Sequence, residues 1–219
     1  ALAYTDQAIQ SLDCDTEVVI VKTPGDIDQT TPIYEMGGKG VFCSTIEQEL
    51  LNNNIDVAVH SLKDMPGQET DGLSISAMLK RNSPYDVIVG KIKMDCTIGT
   101  SSPRRKAQLL DLYDSLNINI KPIRGNIDTR LEKLDNGEYD AIVLAEAGIQ
   151  ALDIRRTTIK LPIVPAVGQG IIALQTRAGD QATIDIVSKA NHSKTFAQGQ
   201  VERAFLKGIG CLLYTSPSP

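Results

Sequence analysis

Lys63 and Asp64 stand side by side in the stretch AVHSLKDMP (residues 58–66), directly after a run that alternates like a buried strand. A carboxylate there suits two tasks: accepting a hydrogen bond from an N–H that gains positive charge, and moving a proton. Taken alone, a Lys-Asp dipeptide in a turn is more often a solvated pair, and adjacent residues do not form a helical ion pair. Two further stretches change the weight of the reading. GTSSPRR (residues 99–105) ends a strand-like run and offers Ser102 as a helix cap with Pro103 at the first helical position. The free N–H groups of such a helix start, with the forked donors of Arg104 and Arg105, suit carboxylates or phosphates. The bland alternative is a capped helix carrying two solvated arginines. IRGNIDTRLEKL (residues 123–134) repeats the pattern: Arg124 follows a strand, Asn126 is a candidate cap, and Arg130 lies on the first turns of the next helix. Three loops thus supply several cations and one carboxylate, a set matched to a ligand with several carboxylates and one basic reacting centre. A fourth stretch, EMGGKGVF (residues 35–42), carries Lys39 in a glycine-rich loop, but its spacing is not that of a nucleotide-binding P-loop.

The elements that must position these residues alternate between strand and helix. The β-branched run EVVIVKT (residues 17–23) predicts a strand. STIEQELLNNN predicts a helix with Ser44 as N-cap and Glu47 closing a capping box. IDVAVH, LSISAML, DVIVG, CTIGT, INIKPI and DAIVLA read as strands, and PRRKAQLLDLY and NIDTRLEKL as helices. That alternation predicts α/β layering around largely parallel or mixed sheets. In open α/β sheets ligands sit beyond the carboxyl ends of strands, and each of the three polar loops follows a strand candidate.

Composition narrows the classes. The 219 residues are 42% hydrophobic and 22% charged, ordinary for a globular protein long enough for two modest cores. Aromatic residues make up 4%, Trp is absent and the net charge is −5, which disfavours a nucleic-acid binder built on SSPRRK. Cys14, Cys43, Cys96 and Cys211 are widely spaced, and His60 and His192 are the only histidines, so neither a zinc site nor a disulfide framework has support. No apolar run approaches the roughly 20 residues of a membrane span. The first residues already follow helical periodicity without an initiator Met, and the last nine, CLLYTSPSP, read like translated adapter sequence. Both ends are expected to be cut, with 211–219 a non-native tail.

The motifs GGKGVF, DVAVHSLKDMP, GTSSPRR, RGNIDTRLEKLDNGEYDAIVLAEAG and VPAVGQG, in this order, resemble the porphobilinogen deaminase (hydroxymethylbilane synthase) family and cover most of residues 1–206. The resemblance implies a transferase of tetrapyrrole (porphyrin, heme) biosynthesis. It deaminates four porphobilinogen units and joins them head to tail into hydroxymethylbilane, on a dipyrromethane cofactor tied to a cysteine and without a metal. It implies Asp64 as the catalytic carboxylate contacting pyrrole N–H groups. Lys63, Thr100, Ser101, Ser102, Arg104, Arg105 and Gly148 match cofactor contacts. Arg124 and Arg130 match substrate contacts, as do Lys39 and Phe42 in a flexible active-site loop. The implied fold is α/β, with two lobes like periplasmic binding proteins built on mixed sheets and a stub of a third small α+β domain. Domain 1 would span 1–78 and 171–188, domain 2 79–165, and the stub 190–210. A cytoplasmic monomer that takes porphobilinogen, and neither nucleic acid nor membrane, is the expected working form.

Departures from the family pattern bear on these expectations. An Arg-x-Ser segment expected before the first helix is missing, Tyr4 stands where Gln is usual, and Ala151 stands where Arg is frequent. ERAFLKGIGC reaches Cys211 about two residues early against the family's Gly-rich loop, so Cys211 is expected not to be the attachment site, and the chain as written not to hold dipyrromethane or be active. A two-lobed binding protein for an anionic solute is the alternative. It explains an arginine-lined cleft but leaves Asp64 as an unhelpful negative charge.

Overall fold

In the computed structural model the described residues are 2–23 and 43–208. Contacts divide the chain into two compact units, Ala1–Asn82 with Val167–Pro219, and Ser83–Ala166.

The first unit is organised by a strand that arrives late in the sequence. Strand β1 (Ala58–Ser61) and strand β2 (Leu73–Met78) both pair antiparallel with Ile172–Arg177, the eighth strand, which lies between them. Alternation along that strand feeds two cores. Ala173 joins Leu62, Met65, Ile75 and Met78 on one face, while Ile172 and Leu174 join Ala8, Ala77 and Leu79 on the other. A register shift between Ile75 and Ala77 turns β2 so that Ala77 and Met78 both become buried. Among the described residues, helices Leu2–Ser11, Ser44–Leu51, Gln181–Val187 and Ser193–Gly208 cover the sheet. Each fully buried Leu or Ile side chain contributes roughly 1.5–3 kcal/mol.

The second unit holds a five-stranded sheet. Its strands in chain order are β3 (Asp86–Gly90), β4 (Thr97–Gly99), β5 (Asn119–Lys121), β6 (Ala141–Ala145) and β7 (Thr158–Lys160), laid side by side as β5-β4-β6-β3-β7. With these numbered, Ile172–Arg177 is β8. β4 runs parallel to β5 and β6, and β3 runs antiparallel to β6 and β7. Ile88, Ile98, Ala141 and Val143 pack with Leu109 on one face, and Val87, Val89, Ile142 and Leu144 pack with Leu131 and Ile149 on the other. Burial on both faces explains the near-continuous apolar runs DVIVG and DAIVLA. The class is therefore α/β with two sheets, the first antiparallel throughout and the second mixed.

Three local expectations are corrected. EVVIVKT forms no strand, and Val18, Val19 and Ile20 are exposed. β-branched residues favour a pleated, half-buried surface, and no neighbouring strand among the described residues provides one here. Ser44 is the first helical residue rather than the cap, with Cys43 at the cap position and no side-chain bond there. The Glu47 carboxylate turns into the core instead of closing a capping box. Asn126 occupies the cap position of helix Ile127–Asp135 without a side-chain cap bond, so only its backbone carbonyl serves the helix, accepting from Arg130 N at 3.0 Å. Ser102 does cap helix Pro103–Leu112, with its hydroxyl accepting from the Arg105 N–H.

Candidate functional site: an acid turn and a cation edge

The Lys63–Asp64 pair lies in a single 3-10 turn, Leu62–Asp64, continuous with the end of β1. The backbone of this turn is fixed at several points. Leu62 N–H donates to the Ile171 carbonyl at 2.9 Å, and the Met65 N–H returns to Leu62 O at 3.2 Å. The Cys43 thiol donates to the Asp64 carbonyl at 3.4 Å. Gly168, in VPAVGQG, has φ +72, and a Cβ there would lie 2.9 Å from Leu62 Cγ and 3.0 Å from Lys63 N. Only glycine allows this backbone to lie against the turn. The Asp64 side chain is half-buried, and among the described residues it makes no hydrogen bond or ion pair. Its charge is felt around it. Burial, then Asp64 and Glu47, push the Cys43 thiol up to about 12, which keeps it a protonated donor rather than a nucleophile. Burial and Asp64 likewise raise the Tyr4 hydroxyl.

Behind the turn runs a buried polar chain that no local sequence pattern announces. Thr70 Oγ1 donates to Glu47 Oε2 at 2.8 Å, Gln175 Nε2 donates to Glu47 Oε1 at 2.9 Å, and Gln175 Oε1 faces His60 Nε2 at 2.9 Å. Because the Glu47 carboxylate only accepts, the Gln175 amide must point its nitrogen at Glu47 and its oxygen at His60. The imidazole is thereby set with its proton on Nε2. Burial lowers the His60 pKa, while the Gln175 bond and the Glu47 and Asp64 carboxylates push weakly the other way. The folded protein thus resists protonating His60. Its contribution to stability is fully present above the ordinary imidazole value, ~6.5, and is lost as pH falls below it, because the unfolded chain takes the proton first. Urea midpoints measured between about pH 5 and 7.5 should show this acid limb, and His60→Gln should flatten it; an unchanged limb would assign the acid sensitivity elsewhere.

In the second unit the parallel set β5-β4-β6 brings its carboxyl ends to one edge, and with them the two cationic loops and the β6 exit at Ala145. Thr100 N–H donates to Lys121 O at 2.9 Å, and Thr100 Oγ1 accepts from Ser102 N at 3.2 Å. Ser101 ties the loops together, donating to Ile123 O at 2.8 Å and accepting from Ile123 N at 3.0 Å, next to Arg124. Arg130 Nε donates to Gly125 O at 2.7 Å, and Lys133 Nζ to Arg124 O at 3.3 Å, so the helix that follows braces the Arg124 loop. The close approach visible at Gly148 is internal: a Cβ there would come within 2.6 Å of the Ile127 side chain.

Neither arginine of GTSSPRR is a solvated surface group. Asp86, fully buried at the start of β3, pairs through Oδ1 with Arg105 Nε at 3.0 Å and Nη2 at 2.6 Å, and through Oδ2 with Arg104 Nη2 at 2.7 Å. Arg105 Nη1 also donates to Val143 O at 3.1 Å. A reading of Asp86 as an ordinary strand residue misses this. The signal was legible as an aspartate opening an otherwise apolar strand, since a buried carboxylate requires partners. The expected contact of Arg105 with a cofactor carboxylate therefore belongs to a guanidinium already engaged by Asp86, and Arg104 is the more exposed of the pair.

Thus Asp64 and Lys63 belong to the first unit. Thr100, Ser101, Ser102, Arg104, Arg105, Arg124, Arg130 and Gly148 belong to one edge of the second. Lys39, Phe42 and Cys211 lie outside the described residues. Among the described residues no group of three or more His, Cys, Asp or Glu could hold a metal ion, and no helix is long and apolar enough to cross a membrane.

Residues 1–185 match the family model described as "Porphobilinogen deaminase, dipyromethane cofactor binding domain". The chain is similar to the probable porphobilinogen deaminase of Archaeoglobus fulgidus at 41% identity, over 96% of this chain and 77% of that protein. The porphobilinogen deaminase of Orientia tsutsugamushi is 45% identical over 88% of this chain and 68% of its own length. That of Rickettsia prowazekii is 40% identical over 94% and 74%. Among solved structures, the VFT2 domain of Bordetella pertussis BvgS aligns with 95% of this chain and 82% of its own at 19% identity and a TM-score of 0.45.

Proposed function

Because the chain belongs to the porphobilinogen deaminase family, the transferases that deaminate porphobilinogen and join four units into hydroxymethylbilane on a dipyrromethane cofactor, we propose that Asp64 is its catalytic carboxylate and the edge of the second sheet its carboxylate-binding surface. The single observation that carries this reading is the state of Asp64. Its side chain is a half-buried acid on a backbone held by Ile171, Cys43 and Gly168, with no hydrogen bond or ion pair among the described residues. Such an acid is poised to accept a pyrrole N–H as that nitrogen becomes cationic on loss of ammonia, and to move a proton there.

The donor set suits the cofactor. Acetate and propionate groups are carboxylates, and Thr100, Ser101, Ser102 and Arg104, with Arg105 behind them, offer hydroxyls and guanidinium groups along one edge; Lys63 is proposed from the family pattern as a further cofactor contact. Once bound, dipyrromethane supplies the nucleophilic α-carbon on which the chain is built. Gly148 would allow backbone to come close to it. Arg124 and Arg130 would hold the carboxylates of the incoming unit, and Lys39 and Phe42 would also contact the substrate, Lys39 by its charge and Phe42 by apolar packing. Arg124→Gln and Arg130→Gln should each raise KM for porphobilinogen by about tenfold, the loss of one charge-assisted hydrogen bond, with a smaller change in kcat. Steady-state kinetics decide this, and unchanged KM in both variants would remove these residues from the substrate site.

The domain limits drawn from the resemblance, 1–78 with 171–188, 79–165 and 190–210, belong to the same proposal. What supports a two-lobe division is that the contacts group into two units. A cytoplasmic monomer is likewise carried from the family, and light scattering on the purified protein tests the monomer.

A further inference from the structure

The helix Ser193–Gly208 meets the turn that carries Asp64 through residues whose polarity has no other evident use. Gly199 lies where a Cβ would stand 2.4 Å from Met78 Sδ and 3.1 Å from Leu62 Cδ2, so the helix seats directly on the first residue of the turn. One helical turn further on, Arg203 is buried, 4% exposed. Its Nη1 donates to the Pro66 carbonyl at 2.9 Å and its Nη2 to the Gly67 carbonyl at 3.4 Å, with Glu69 at 3.8 Å. The preceding residue reaches the other side. Glu202 Oε2 accepts from the Gly168 N–H at 2.6 Å, and Gly168 is the residue whose backbone lies against Lys63 N. Glu202 is itself held by Arg81, with Nη1 at 2.5 Å and Nη2 at 3.2 Å, and Arg81 Nε donates to Gln169 O at 3.0 Å.

A buried guanidinium is costly unless its donors are used, and burial indeed lowers the Arg203 pKa. A hydrophobic residue would fill the same space without that cost. Two backbone carbonyls immediately after the acid are what the arginine obtains in return. We infer that the adjacent pair Glu202–Arg203 is a positioning clamp for the Lys63–Asp64 turn: Arg203 fixes the chain leaving Asp64, and Glu202, through Gly168, fixes the chain entering it. Its catalytic consequence rests on the reading of Asp64 given above; its structural content does not. Neither residue touches a reacting atom, and both act by holding the Asp64 carboxylate where it meets a pyrrole nitrogen. A small misplacement of a catalytic group lowers kcat far more than binding.

Cys43 provides a direct readout, because its buried thiol donates to the Asp64 carbonyl. Cys96, buried in the other unit, reports general unfolding. Native-state alkylation with N-ethylmaleimide, quantified by peptide mass spectrometry, compares the two. Arg203→Gln should accelerate labelling of Cys43 by at least about tenfold relative to Cys96, the effect of losing a hydrogen bond from a charged donor on local opening. The same variant should lower kcat for porphobilinogen consumption by about tenfold or more with KM held. Glu202→Gln, which keeps the shape, should show the same selective labelling to a smaller extent. Arg203→Lys should fall between Arg203→Gln and wild type, and these two variants decide the question if Arg203→Gln does not fold. An unchanged Cys43-to-Cys96 ratio overturns the clamp, and selective labelling with unaltered kcat overturns its catalytic consequence. Asp64→Asn keeps the two readings apart. Its retained activity would defeat the role of Asp64, while the labelling of the Arg203 variants still decides on the clamp.

Discussion

In enzyme loaded with dipyrromethane, Asp64→Ala should lower porphobilinogen consumption by about 10²- to 10⁴-fold, the range for removing a positioned acid or base, and leave the fold intact. The fold should survive because the side chain makes no hydrogen bond or ion pair among the described residues, whereas its backbone is held by Ile171, Cys43 and the Gly168 contact. Changes of this kind usually fall within about 0.5 kcal/mol. Removing the charge also relieves one contribution, smaller than burial, to the raised Tyr4 and Cys43 pKa values. Asp64→Asn separates charge from shape: if the carboxylate stabilises a cationic nitrogen, the amide should be almost as impaired as alanine. The measurement is loss of porphobilinogen with time beside a thermal melt, and normal turnover with a normal melt would end the assignment.

Asp86→Ala should be the most damaging change in the second unit. It removes the carboxylate opposite two guanidinium groups, of which Arg105 is buried and Arg104 partly so. Breaking a buried ion pair on one side costs on the order of 3–5 kcal/mol, a large share of a small domain's stability. Asp86→Asn keeps an acceptor at Oδ1 and should cost less. Urea titration followed by a probe in residues 83–166 reads the difference, and a midpoint equal to wild type in Asp86→Ala would show that the pair contributes nothing net. The functional effect should exceed the thermal one for Arg104, which Asp86 also aims. At temperatures where Asp86→Asn remains folded, a smaller fraction of the protein should retain dipyrromethane, read by intact mass spectrometry.

Much of this was legible in the sequence where a single period dominated. DVIVG and DAIVLA are continuous apolar runs, and each becomes a strand covered on both faces. Ser102-Pro103 marks a helix start and caps one. Legibility failed where the outcome depended on a distant neighbour. EVVIVKT has strand propensity but no ladder partner among the described residues. Glu47 sits at capping-box spacing, yet Gln175 and Thr70 draw its carboxylate inward. The candidate acid was marked by type and position, and the arginines by their loops. Asp86, Gly168, Glu202 and Arg203 act through contacts that no local pattern announces. Asp86 came nearest to being readable, as one charge at the head of an apolar strand.

The placement of β8 has a consequence for the order in which the molecule can be completed during synthesis. Among the described residues β1 and β2 have no ladder with each other and pair with β8 alone, and the His60–Gln175 bond spans 115 positions of sequence. The five strands of the other unit all lie between Asp86 and Lys160. On the ribosome that later-begun unit therefore has its full set of strands before the earlier one does. The segment bearing Asp64 must emerge, wait with its edges unsatisfied while the inserted unit is made, and receive its middle strand only when the chain returns. Local contacts close first and remote ones last, so the turn that carries Asp64 is among the last parts of the protein to be set.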